Sequence, residues 1–157
     1  MSDHKIIFPN NNVLSGVPEG LDASFLVEKI RTEGGPIIHI ARDDARALAL
    51  KAAVNFFDPT IDVLDFPAWD CLPYDRVSPN KEISCLRMSV LTSLVLNKPR
   101  VDLLITTANA ITQRVPPTNF IKASSLVLQV GKSFNRDKLV STLVNMGYEH
   151  SLSLIHI

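Results

Sequence analysis

The chain has little that would commit it to a covalent or metal framework. Only Cys71 and Cys85 occur in its 157 residues, at a spacing that matches no metal motif, which predicts two reduced thiols in a cytoplasmic protein. Charge of one sign is also missing. Sixteen basic residues balance sixteen acidic ones, so no global field draws the chain to nucleic acid or to an anionic membrane. The N-terminal MSDHKIIFPNNN lacks an apolar stretch of signal-peptide length. Every apolar run is too short and too interrupted to cross a bilayer. The expectation is a soluble cytoplasmic protein with no membrane partner.

What the chain does have is apolar content, at 46%, enough to bury one domain or one domain and part of a second. Asp22 is placed as the N-cap of a helix over ASFLVEKIR, whose Leu26, Val27 and Ile30 share a face, and Gly34, Gly35 and Pro36 end it. PIIHIA (36–41) is a short apolar run that suits a strand covered on both faces. DDARALALKAAVNFF is a second helix, capped by Asp43 or Asp44 and stopped before Pro59. TIDVLDF (60–66) reads as a strand. KEISCLRMSVLTSLVL (81–96) has helical periodicity through Ile83, Leu86, Val90, Leu91 and Leu94. VDLLITTA (101–108) is a third strand, leading into a short helix over ANAITQ. Strands alternating with helices predict right-handed crossovers and a parallel sheet with helices on both faces, an α/β domain over residues 1–114.

At VPP (115–117) the pattern changes. SSLVLQV (124–130) reads as a strand, Gly131 starts a turn, and Asn135 or Arg136 opens a helix over RDKLVSTLVNMG that Gly147 ends. One strand and one helix are too few to close a core. Residues 115–150 are therefore expected to be the incomplete start of a small α+β domain, exposing Leu126, Leu139 and Leu143. The closing SLSLIHI (151–157) continues nothing before it and is expected to be a non-native tail, although its alternation would also suit a strand.

Three sets of residues could carry chemistry. SGVPEGLDASFL (15–26) occupies the slot of a phosphate loop, ahead of the first helix. A working loop, GxxxxGK[ST], cradles phosphate on backbone amides, neutralises it with the lysine and holds magnesium on the hydroxyl. Here Gly16 and Gly20 supply glycine, but no lysine follows, and Asp22 sets a negative charge where phosphate would lie. The site is degenerate, and no nucleotide or metal is expected to bind. Among the histidines, His4, His39, His150 and His156 are scattered, and His39 falls within a strand as a core imidazole. Asp70 and Asp75 flank LPY as a notional carboxylate pair but read as turn residues. Arg76, Lys81 and Arg87 interleave with Trp69 and Tyr74 in the manner of a nucleic-acid surface, while Asp70, Asp75 and Glu82 cancel most of that charge. No catalytic set emerges.

The stretch FPAWDCLPYDRVSPNKEISCLRMSVL closely resembles the N-terminal, UvrB-like region of the bacterial transcription-repair coupling factors (Mfd), whose signature is W-[DE]-x-L-P-Y-[DE]-x-x-S-P followed by an acidic residue and a helix with Arg-Leu. Trp69, Asp70, Leu72, Pro73, Tyr74, Asp75, Ser78 and Pro79 match it, and Glu82, Ile83 and Ser84 fit the helix entry. Arg87 departs from it, following Leu86 rather than preceding a leucine. TTANAITQRVPP is similar to the family's join between its first two domains, and FNRDKLVSTLVNMGYEH to the opening helix of the second. The resemblance covers residues 10–150.

It implies a RecA-like α/β domain with a degenerate nucleotide site, followed by the start of the domain that docks on UvrA. In the family, an ATP- and magnesium-dependent motor later in the chain translocates on DNA and displaces stalled RNA polymerase, and nucleotide-excision repair is recruited through UvrA. The resemblance therefore implies a truncated, non-catalytic fragment with UvrA, RNA polymerase and DNA as partners of the full-length protein. The family's UvrA-contacting residues lie beyond the first helix and strand of its second domain, so none is carried over and co-purification with UvrA is not expected. The competing expectation is a freestanding α/β enzyme working through residues 66–88, with Asp70 or Asp75 as acid or base. Pro67, Pro73 and Pro79 point instead to a stiff connection that Trp69 and Tyr74 pack against the domain.

Overall fold

The structure, a computed structural model, describes residues 15–71, 76–96 and 100–149. It divides into two compact units that part between Arg114 and Val115. The tail at 151–157 and the signature residues Leu72, Pro73, Tyr74 and Asp75 lie outside the described residues.

In the first unit, three parallel strands form one sheet. β1 (Ile37–Ala41), β2 (Val63–Phe66) and β3 (Leu103–Thr107) stand in the order β1-β3-β2. Ile37 and Val63 both sit opposite Leu103, and Ile40 and Phe66 opposite Thr106. All five residues of β3 are buried, as a central parallel strand requires. Helices α1 (Leu21–Glu33) and α2 (Asp44–Phe57) cover one face. There Ala23, Val27, Ile30, Leu50 and Val54 pack with Leu103 and Ile105. Helices α3 (Lys81–Leu96) and α4 (Ala108–Ile111) serve the other face, where Val90 and Ala110 pack with Phe66 and Leu104. The odd and even residues of β3 divide between the two cores, as the two-residue period of a strand dictates.

Local chemistry sets the element ends. The Asp43 carboxylate accepts the Arg46 N–H at 2.8 Å and caps α2. Thr107 caps α4 by accepting the Ala110 N–H. At Gly35 a Cβ would stand 2.7 Å from the Asp102 carbonyl oxygen, so only glycine lets the entry of β1 pass that backbone.

The structure corrects four expectations. Asp22 is not the cap of α1. Gly20, at φ 90°, holds that position without a side-chain bond, and Asp22 is the second residue of the helix, in its first turn. β1 is not covered on both faces. Its burial alternates, with Ile38 at 58% and Ile40 at 50% exposed, because on the second face α3 lies against β2 and the four-residue α4 is too short to cover the edge strand. On α3 the buried residues are Arg87 and Val90, while Leu86 and Leu94 are exposed. Finally, 124–130 forms no strand. A strand needs a ladder partner, and none stands among the described residues of the second unit.

That unit holds α5 (Thr118–Ala123) and α6 (Arg136–Asn145). Six residues following Pro116 and Pro117 carry too little periodicity for α5 to be legible in advance. Asn135 caps α6 by accepting the Lys138 N–H at 3.0 Å, and no residue of α6 is buried. Ile121 is the one buried residue among those described in the unit.

One carboxylate ties the ends of α1 and α2 together. Asp58 takes the Nε and Nη2 of Arg31 on one oxygen, at 3.0 and 2.6 Å, and the N–H and hydroxyl of Thr60 on the other, at 3.0 and 2.6 Å. The Thr60 hydroxyl and amide, then Arg31, bring its pKa down from 3.8 to about 2. The folded state thus holds fewer protons than the unfolded one, so this stabilisation is complete above 3.8 and is lost as pH falls toward about 2. Thermal melts across that range should show Asp58→Asn less stable than the parent at neutral pH, with the gap closing in acid. A gap that does not change with pH would refute the assignment.

Candidate functional site

Two places in the first unit gather the residues singled out from the sequence. The first is the N-terminus of α1, the stretch compared above with a phosphate loop. Gly16 and Gly20 both have positive φ, 70° and 90°, so the backbone there does turn sharply. What fills the turn is negative. Arg46 reaches over from α2, its Nη1 donating to Glu19 at 2.7 Å and its Nη2 to Asp22 at 2.8 Å. Among the described residues, the cation that reaches this site is committed to two carboxylates of its own chain. A phosphate arriving at the start of α1 would meet Asp22 in the first turn, and the helix dipole that favours an anion there already has one. His39, half-buried on β1, has its pKa lowered, chiefly by burial, against the opposing effect of Asp22. That direction suits a neutral imidazole of the fold rather than a proton carrier held charged.

The second place is the connection from β2 to α3. Phe66 closes β2, and Pro67, Ala68, Trp69 and Asp70 lead away from it. Arg87, one turn before Val90 on the inner face of α3, enters this connection from below and is 1% exposed. Its guanidinium carbon lies 4.2 Å from the centre of the Phe66 ring and 4.4 Å from that of Trp69, so the cation is held between two aromatic faces. Nη1 donates to the Pro67 carbonyl and, at 3.1 Å, to Gln113 Oε1. The same Gln113 oxygen accepts the Trp69 N–H at 2.9 Å. Gln113 lies just beyond α4, so three separated segments meet on one guanidinium.

No described carboxylate pairs with Arg87, and its Nε and Nη2 have no hydrogen-bond partner among the described residues. Burial pushes its pKa down, but a guanidinium remains charged in a protein. Two ring contacts and two hydrogen bonds thus set themselves against the desolvation of a whole charge. Each ring contact is worth about 1 kcal/mol, and each charged hydrogen bond about 1.5–3 kcal/mol.

The other signature residues divide. Asp70, exposed, accepts the Asn80 N–H at 3.1 Å and so fastens the connection to the approach of α3. Asn80 in turn accepts the Glu82 N–H at 2.8 Å. Ser78 is exposed and Pro79 half-buried beside it. Asp75 lies outside the described residues, so the notional pair with Asp70 is not on view. Arg87, counted in the sequence among basic residues spaced like a nucleic-acid surface, faces the interior and offers nothing to a phosphate. Gln113 was not singled out; it is the last residue of the expected helix ANAITQ, and in the structure it lies two residues past the end of α4. Both cysteines are free thiols. Among the described residues no group of three or more His, Cys, Asp or Glu side chains could hold a metal, and no helix is long and apolar enough to cross a membrane.

No family model matches the chain. Compared directly with curated proteins, it is similar to the transcription-repair-coupling factor of Escherichia coli K12, 34% identical over 128 residues, which is 82% of this chain and 11% of that protein. It is 34% identical over 124 residues to the one from Myxococcus xanthus (74% and 10%). To that of Rickettsia prowazekii it is 32% identical over 115 residues (73% and 10%). The match is to one family across several species, and the chain spans about a tenth of the length of these relatives.

If the guanidinium pins the connection, Arg87→Ala should lower stability by about 2–4 kcal/mol and Arg87→Met, which keeps the apolar stem, by less. Urea unfolding followed by the emission of Trp69, the only tryptophan, reads both stability and the environment of the ring. An unchanged midpoint and an unshifted emission in Arg87→Ala would show that the contact is incidental.

Proposed function

We propose that this chain is the N-terminal, UvrB-like part of a transcription-repair-coupling factor and that it serves as scaffold rather than catalyst. The observation that carries the second half is the occupied N-terminus of α1, where Arg46, Glu19 and Asp22 satisfy one another in the slot a nucleotide would take. The match to coupling factors over 82% of the chain supports the first half. In this reading ATP hydrolysis, DNA translocation and displacement of RNA polymerase belong to other parts of a longer protein. Residues 66–88 are a structural signature, with Trp69 and Arg87 locking the way from β2 into α3.

Residues 115–149 are the opening of a second domain, the one that docks on UvrA in the resembling family. The unburied α6 and the apolar segment 124–130, with Val127 at 55%, Leu128 at 60% and Val130 at 102% exposed, are surfaces that further strands would cover.

Calorimetric titration of the chain with ATP and magnesium should give no saturable heat in the micromolar range, and saturable micromolar binding would overturn the scaffold reading. Brief proteolysis should cut within 115–149 and leave a resistant product ending near Arg114, because surfaces without a core open most readily. Even resistance along both units would count against an unfinished second domain.

A further inference from the structure

A cavity of about 220 Å³ opens at the carboxyl ends of β2 and β3. Ligands of parallel α/β sheets gather at this end of the strands, but the lining has the wrong sign for a phosphate. Its walls are apolar, from Ala47, Leu48, Phe66 and Ile105, and the charged groups on them are the carboxylates of Asp44 and Asp65. The hydroxyls at the same rim serve the fold. Thr106 Oγ1 donates to the Phe66 carbonyl at 3.0 Å, and Thr107 Oγ1 accepts the Ala110 N–H at 3.3 Å. Asp65 already holds an ammonium, that of Lys51 on α2. Asp44 makes no ion pair among the described residues.

We infer that this cavity receives an arginine side chain from a partner polypeptide, its stem against Ala47 and Leu48 and its guanidinium at Asp44. Charge complementarity selects a cation, and the apolar walls select one carried on a hydrocarbon stem. Arginine suits better than lysine because a guanidinium is more weakly hydrated than an ammonium and loses less on meeting apolar walls. The inference is independent of the family to which the chain is matched.

The test is a titration of the full chain, followed by amide NMR signals, with N-acetylarginine amide and with its uncharged isostere N-acetylcitrulline amide. The arginine probe should give saturable millimolar shifts at Leu48, Ile105, Thr106 and Thr107, weakening as salt is raised. Asp44→Asn should weaken binding about threefold, as an exposed ion pair warrants, with the far-ultraviolet spectrum unchanged. Leu48→Ala, at a position 71% exposed, should weaken it without disturbing the core. Equal binding of the citrulline probe, no saturable shift by about 50 mM arginine probe, or full affinity in both variants would overturn the inference.

Discussion

Every ladder bond of the sheet runs through β3, since β1 and β2 each pair with it and not with one another. Its five residues are buried in sequence, and alternate ones feed the two separate cores. A polar or bulky substitution on β3 would therefore disturb both layers of helices and both strand pairings at once. The rest of the first unit can be understood as what is needed to bring β1, β2 and their helices to this strand.

Two arginines then take up what the sheet leaves unsettled. Arg46 brings the start of α1 and the start of α2 together by neutralising Glu19 and Asp22. Arg87 gathers Phe66, Pro67, Trp69 and Gln113 at the far side. The two differ in their physics. Arg46 is an ion pair near solvent, whose modest strength is less important than its effect on a place that could have held phosphate. Arg87 has no counter-ion among the described residues, so its hold comes from ring faces and carbonyl oxygens in a water-poor setting. Neither arrangement assembles a nucleophile, a base and a substrate space. Both are consistent with the proposed role as a scaffold.

The elements of the first unit were largely legible because their signals are local. The apolar run VDLLITTA announces a buried strand, Asp43 announces the start of a helix, and Gly34 and Gly35 announce an end. The parallel architecture followed from their alternation. Local signals failed where the deciding partner was remote. SSLVLQV has a strand's alternation, but no neighbouring strand among the described residues meets it. Ile38 and Ile40 look like buried residues, but on that face α3 lies against β2 and the short α4 leaves both side chains exposed. Asp22 has the chemistry of a cap, but Gly20 takes that position and Arg46, distant in sequence, claims the carboxylate.

By itself the sequence determined the order of strands and helices in the first unit, the missing phosphate-loop lysine and the long signature around Trp69 that resembles the coupling factors. These are matters of residue type and spacing, which neighbours along the chain decide. Only the tertiary structure decided that Arg87 is interior and stacked between Phe66 and Trp69, that Gln113 joins it, and that Arg46 closes the start of α1. Each depends on side chains from segments far apart in the chain arriving within a few ångströms, and no periodicity records that. The same reason applies to the cavity of Asp44 and Asp65, whose acidic and apolar walls come from α2, β2 and β3 and meet only when the sheet has formed.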